Sequence, residues 1–219
     1  GPGLLWDQVP SGEIAMEGIH KHFQRHPRLK QWLVEERLLP HPKLAAWAPE
    51  VIHTARILTA LDGGEPIVFA AAFRIAIGDK PTDNFSQGNI VAPIDVHSGR
   101  LGEAAYKSHG KAIRLTAHPV SSAPISGETV PFWREALGAV KSAARLLPWI
   151  PLLGWDVAVT ASGPVIVEAN TLWDPDVTQI ASDTGLLVTP LFEYMRKRGL
   201  FSELGVGIGL GAEARSASI

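Results

Sequence analysis

Two apolar runs that alternate with polar positions predict a β-hairpin over residues 154–170. Trp155, Val157 and Val159 alternate in the first run, and Val165 and Val167 in the second, around the short segment Ala161, Ser162 and Gly163. Alternation with period two is the pattern of a half-buried strand, and a short loop ending in Gly suits a type I turn closed by a left-handed residue. Centring the loop on Ser162 sets Asp156 directly opposite Glu168, with Asn170 two residues on and therefore on the same face. On this reading the five residues above form one apolar face. Asp156, Ala158, Ile166, Glu168 and Asn170 form the other.

The same patterning sets out the rest of the chain. Residues 51–61 and 67–77 are apolar, β-leaning runs, and Asp62, Gly63, Gly64, Glu65 and Pro66 between them are strong turn formers, so a long hairpin is expected. Residues 79–89 read as a polar loop, 90–96 as a strand, and Ser98-Gly99 as a turn. Residues 103–127 mix Pro, Ser and His irregularly and read as a long functional loop. Apolar positions at Phe132, Ala136, Ala139, Val140, Ala143, Ala144 and Leu147 fit the helical period, predicting a helix over 131–147 with Pro131 at its first position and Pro148 and Pro151 beyond its end. A second helix is expected over 185–198, its basic end complementing the helix dipole. Upstream, 11–31 reads as helical with Ser11 as N-cap, 32–36 as a short strand, and 41–50 as a Pro-rich loop. The expected organisation is an N-terminal helical segment over 1–31, a main lobe over 32–200, and a Gly-, Ala- and Ser-rich flexible tail over 201–219.

Composition narrows the function classes. Among 219 residues, 46% are hydrophobic and 19% charged, which suits a globular chain with a sizeable core. A net charge of −2 implies no general attraction to nucleic acid or to anionic membranes. The absence of Cys removes disulfides, thiolate catalysis and Cys-ligated zinc. No basic segment followed by an apolar run marks a signal peptide, and no stretch reaches the roughly 18 apolar residues of a membrane helix, so a cytoplasmic protein is expected. His20, His22 and His26 lie in the first helical segment, but only His22 and His26 share a face. With no third ligand they read as solvated side chains.

Candidate chemistry sits on the strands. Opposed like charges destabilise a sheet, and a cation between Asp156 and Glu168 would remove the repulsion. Two carboxylates and the Asn170 amide suit a hard ion such as Mg²⁺. The alternative is that the acids decorate a solvated face. Arg56 and Arg74 each interrupt an apolar run. A buried charge is costly unless paired, so each guanidinium either turns outward, joins an internal ion pair, or meets an anionic ligand. Two such arginines on one hairpin, beside an acidic pair, point to a metal–nucleotide or metal–phosphate ligand.

These residues also occur in a telling order. Glu35-Glu36 is followed by Thr54-Ala55-Arg56, Phe73-Arg74, Asp83-Asn84-Phe85-Ser86-Gln87-Gly88, Val91-Ala92-Pro93-Ile94-Asp95, and finally Asp156 with Glu168-Ala169-Asn170. The chain resembles the ATP-grasp superfamily, in its glutamate-ligase-like branch and especially the sugar-transfer-associated group. The resemblance implies an α+β ATP-grasp fold with an antiparallel central sheet flanked by helices. It implies ATP and Mg²⁺ as cofactors, with Asp156, Glu168 and Asn170 on the metal. Glu35, Glu36 and Leu38 would meet adenine and ribose, Arg56 and Arg74 the phosphate or acyl intermediate, and Asn84 the phosphates. The implied activity joins a small-molecule carboxylate to an amine or similar nucleophile through an acyl-phosphate. No nucleic-acid or membrane partner is implied, and a homodimer is allowed. Two departures stand out. The family's Gly-Gly in the polar loop is Gly88-Asn89 here, and no Gly-rich loop with a clamping lysine lies among the 34 residues before Glu35. The N-terminal part of the fold is therefore expected to be missing from this chain, with weak nucleotide binding as the consequence. The alternative function is a non-catalytic nucleotide- or partner-binding module of the same fold.

Overall fold

The computed structural model describes residues 37–49, 51–77, 88–108 and 111–200, together with residues 18, 20, 21 and 24. The chain divides into two compact units, residues 1–38 and 39–219. In the first, Gly18, His20, Lys21 and Gln24 are helical, as the N-terminal pattern predicts, and Gln24 Nε2 lies 2.8 Å from His20 Nε2 one turn away. The strand expected at 32–36, most of the polar loop, and the tail lie outside the described residues. So do three expected site residues, Glu35, Glu36 and Asn84.

The second unit is built on one seven-stranded antiparallel sheet: β1 Thr54–Asp62, β2 Glu65–Ile75, β3 Ile90–Pro93, β4 Ala104–Ser108, β5 Lys111–Leu115, β6 Leu152–Thr160 and β7 Gly163–Asn170. The spatial order is β5-β4-β3-β2-β1-β6-β7. Three α-helices accompany it, α1 Trp133–Arg145, α2 Asp176–Ser182 and α3 Pro190–Lys197, with 3₁₀ turns at Pro42–Ala46 and Leu186–Val188. This is the expected α+β architecture. Among the described residues no helix is long and apolar enough to cross a membrane.

The β1–β2 hairpin forms as its pattern predicts, turning at Gly63 and Gly64, both with positive φ. Other boundaries move for physical reasons. The expected loop over 103–127 contains the β4–β5 hairpin, whose short strands carry too few large apolar residues to show a period. The helix at 131–147 begins two residues late, because Phe132 takes a left-handed conformation (φ 55°) as its N-cap. The helix expected over 185–198 is a 3₁₀ turn followed by α3. Thr189 breaks it by capping α3, its hydroxyl accepting from the Phe192 N–H, with Pro190 in the first turn. Helix α2 carries no sequence signal strong enough to predict it; its seven residues span less than two full turns of pattern.

The β6–β7 hairpin departs from its predicted register in an instructive way. Its loop is only Ala161 and Ser162, since Thr160 pairs with Gly163 (φ +132°). The pairing then slips by one residue between Asp156 and Val157, which leaves Val167 as an unpaired bulge. Asp156 still faces Glu168, but only because the shorter loop and the bulge cancel. The faces near the turn are exchanged accordingly. Ile166 pairs with Val157 and packs on the main core, whereas Val165 and Val167 are exposed.

The sheet is covered on both faces. On one, Ala55, Ile57, Phe73, Ile75, Ala92, Trp155, Val157 and Val159 form a continuous core with Trp133, Ala136, Val140 and Ala144 of α1. Gly99 lets Trp133 in: a Cβ there would lie 2.6 Å from the indole. On the other face the apolar material is in two pieces. Leu58, Ala60 and Leu152 pack with Trp173, Leu191, Tyr194 and Met195, while Ala72 and Val91 pack with Val177 and Ala181 of α2.

Candidate functional site

Between those two apolar pieces lies a row of charge. The antiparallel register aligns Arg56 of β1 with Asp156 of β6, and Asp156 with Glu168 of β7. The next row on the same face aligns Arg74 of β2, Thr54 of β1, Ala158 of β6 and Val165 of β7. Directly paired residues share a face, and alternate residues return to it. The sheet therefore gathers Arg56, Arg74, Asp156 and Glu168 on one side, Arg74 by virtue of the irregularity between Leu58 and Thr59 that shifts the β1–β2 register by one residue.

The side chains interlock. Arg56 grips Asp156 through two bonds, Nε to Oδ1 at 2.5 Å and Nη2 to Oδ2 at 3.1 Å. Arg74 reaches across from β2 and places Nη2 2.9 Å from Asp156 Oδ2. Its Nε and Nη2 also donate to Thr54 Oγ1, at 2.8 and 2.6 Å. Arg56 and Arg74 are each 7% exposed and Asp156 5%. These are charge-assisted contacts in a dry setting, where a carboxylate left without its partners would be costly. Of the outcomes open to the arginines, the internal ion pair is the one formed.

Asp156 and Glu168 therefore differ. The repulsion argument calls for a cation beside Asp156, and that cation is present as two guanidinium groups. Oδ1 of Asp156 accepts from Arg56 and Oδ2 meets both arginines, so in this structure guanidinium groups supply the positive charge beside it. Glu168 is exposed on the open edge strand. Asn170 is half-buried, and its Nδ2 has no hydrogen-bond partner, so nothing fixes the amide against offering Oδ1. Glu168 and Asn170 lie two residues apart, and a carboxylate and an amide oxygen are donors of the kind Mg²⁺ accepts. The residues thus fit a hard cation at Glu168 and Asn170, on the solvent side of the arginine cluster. Among the described residues no group of three His, Cys, Asp or Glu converges as a metal site.

One row further on, Leu58, Gly154 and Asn170 align, and Trp173 packs over Leu58 and Gly154. A Cβ on Gly154 would lie 2.7 Å from that of Trp173, so only Gly admits the indole this close. Trp173 Nε1 is buried without a partner, as is Asn170 Nδ2. Of the residues expected at adenine and ribose, Leu38 is half-buried in the first unit.

Two residues of this face escape the sequence reading. Thr54 has a readable signal, since it stands two residues before Arg56 and so shares its face. Trp173 has none, because its position depends on the chain folding back after β7.

Away from this face, His53 and His118 are buried and clasp the end of β2. The Ala76 N–H donates to His53 Nδ1 at 3.3 Å, and His118 Nε2 lies 2.9 Å from the Ala76 carbonyl oxygen. Burial, and secondarily the neighbouring His118, push His53 down from 6.5 to about 4, against an opposing contribution from the Leu44 backbone. His53 is therefore neutral at physiological pH and acts as a structural group.

No curated protein and no solved structure matches the chain. Residues 21–191 match the family described as sugar-transfer associated ATP-grasp. That span holds the whole sheet, the arginine–aspartate cluster and the Glu168–Asn170 pair, and it covers most of the sequence. The chain belongs to the sugar-transfer associated ATP-grasp family.

Proposed function

We propose that the protein is an ATP- and Mg²⁺-dependent ligase that activates a small-molecule carboxylate as an acyl-phosphate and passes it to an amine or similar nucleophile. Family membership supports ATP binding and a ligase-like function. The observation that carries the finer reading is the convergence of Arg56 and Arg74 on one sheet face, beside Glu168 and Asn170. Arg56 spends Nε and Nη2 on Asp156, and its Nη1 makes no hydrogen bond among the described residues. That nitrogen is the donor left for a phosphoryl or acyl-phosphate oxygen.

In the reaction the carboxylate oxygen bonds to the γ-phosphorus, the bond to the β,γ-bridging oxygen breaks, and ADP leaves. The amine nitrogen then bonds to the acyl carbon, the carbon–oxygen bond to phosphate breaks, and the amine's proton goes to solvent or base. Arg56 and Arg74 stabilise the charge that develops on the transferring group, a contribution that is large in a water-poor site. Mg²⁺, held by Glu168 and Asn170, would neutralise phosphate charge. Phosphate release with Mg-ATP and a panel of carboxylates and amines tests the reading. Nucleotide-dependent release with one pair supports it. Nucleotide binding without release under any pair favours the non-catalytic module.

A further inference from the structure

We infer that Asp156 and Thr54 are positioning residues, a buried cradle that holds Arg56 and Arg74 as a fixed two-arginine fork for an anion, and that Asp156 acts through the arginines and not as a ligand to a cation. The inference rests on the reading that this sheet face meets phosphate. It adds a division of labour: the row's inner carboxylate orients guanidinium groups, and its outer carboxylate, Glu168, faces the cation.

The geometry supports this at each atom. Asp156 engages the Nε–Nη2 edge of Arg56, which fixes the guanidinium plane and directs the remaining Nη1 away from the carboxylate. Thr54 takes two N–H groups of Arg74 on a single hydroxyl oxygen, and Asp156 Oδ2 takes Nη2 again. Arg74 is thereby held by two anchors on two different strands, β1 and β6. An arginine on a long, flexible side chain normally loses rotamer freedom when it grips an anion. Here that freedom is already lost in the fold, so an arriving anion meets preorganised donors. Thr54 is the informative member. It carries no charge and offers only a hydroxyl, which Ser retains and Val lacks at nearly the same volume.

The test uses the 219-residue chain, with tripolyphosphate in the absence of metal as the anion probe and Mn²⁺ as the cation probe. Tripolyphosphate binding is followed through the Nε–Hε resonances of Arg56 and Arg74, and circular dichroism confirms folding. Thr54→Ser should bind tripolyphosphate within twofold of the wild type, and Thr54→Val at least tenfold more weakly while remaining folded. Glu168→Gln should weaken Mn²⁺ binding at least tenfold, and Asp156→Asn should leave it within threefold. Wild-type affinity in Thr54→Val overturns the cradle. A loss of Mn²⁺ in Asp156→Asn equal to that in Glu168→Gln overturns the division of labour. A wild type that binds neither probe removes the phosphate-site reading itself, and this inference with it. Should Asp156→Asn not fold, the Thr54 pair decides the cradle alone.

Discussion

The two faces of one sheet solve the burial problem differently. The face under α1 is a continuous apolar core in which Phe73, Ile57 and Val157 are wholly buried. The opposite face is divided, and Arg56, Arg74, Asp156 and Thr54 occupy the gap between its two smaller apolar clusters. Both faces belong to the same seven-stranded sheet, so secondary structure does not separate them. The difference is that one face is optimised for packing, while the other keeps an ion cluster that apolar side chains could replace. A buried ion pair is seldom the most stabilising filling for such a gap. Among the described residues the cluster lies on the face to which the proposed function assigns the ligand.

Substitutions can break this contrast. The largest effects are expected from single truncations on either face. Phe73→Ala should cost about 3–5 kcal/mol through cavity formation, and Asp156→Ala about 3–5 kcal/mol by leaving two guanidinium groups without their carboxylate. Urea unfolding measures both. The contrast sharpens when the whole cluster is exchanged. The triple variant Arg56→Met, Arg74→Met, Asp156→Leu should fold with stability within about 2 kcal/mol of the wild type, and Mg-ATP binding should be lost. No comparable exchange on the α1 face should touch nucleotide binding.

A smaller effect is expected at Gly154. The Cβ of Gly154→Ala would meet Trp173 on the cluster face and should cost about 1–3 kcal/mol by overpacking, read as a lowered urea midpoint.

Acid should act through His53, which packs against Trp47 and Phe73 on the apolar face. Its folded value near 4 lies below the 6.5 of the unfolded chain, so the unfolded state binds the proton first. The contribution of neutral His53 is complete above pH 6.5, declines as pH falls from there towards 4, and changes no further below 4. Between pH 7 and pH 5 this group should remove about 2 kcal/mol of stability. A His53→Gln variant should lose correspondingly less over the same interval. The smallest effect is at a helix end: Thr189→Ala removes the cap of α3 and should cost about 1 kcal/mol.

Much of this was legible in the sequence because strands write their faces with period two. Within one strand that rule places Thr54 with Arg56 and Asp156 with Ala158, whereas the pairing of Asp156 with Glu168 and the arrival of Arg74 on the face of Arg56 each depend on a one-residue register shift. What was not legible depends on three-dimensional proximity. A bulge at Val167 and a two-residue loop change the pairing without changing composition, so the faces of Val165 and Ile166 were exchanged. The occupant of the Asp156 carboxylate could not be read from β6 and β7 alone, since its partners come from β1 and β2. The β4–β5 hairpin and α2 are too short to show a period.

The most direct test of the account is a Mg-ATP titration of the wild type and the Met–Met–Leu triple variant, followed by amide and arginine Nε–H resonances into the millimolar range. The account predicts saturable shifts in the wild type, centred on Arg56, Arg74, Glu168 and Asn170, and none at those positions in a variant that remains folded. Equal binding by the two proteins, or wild-type shifts confined to the α1 face, would contradict it.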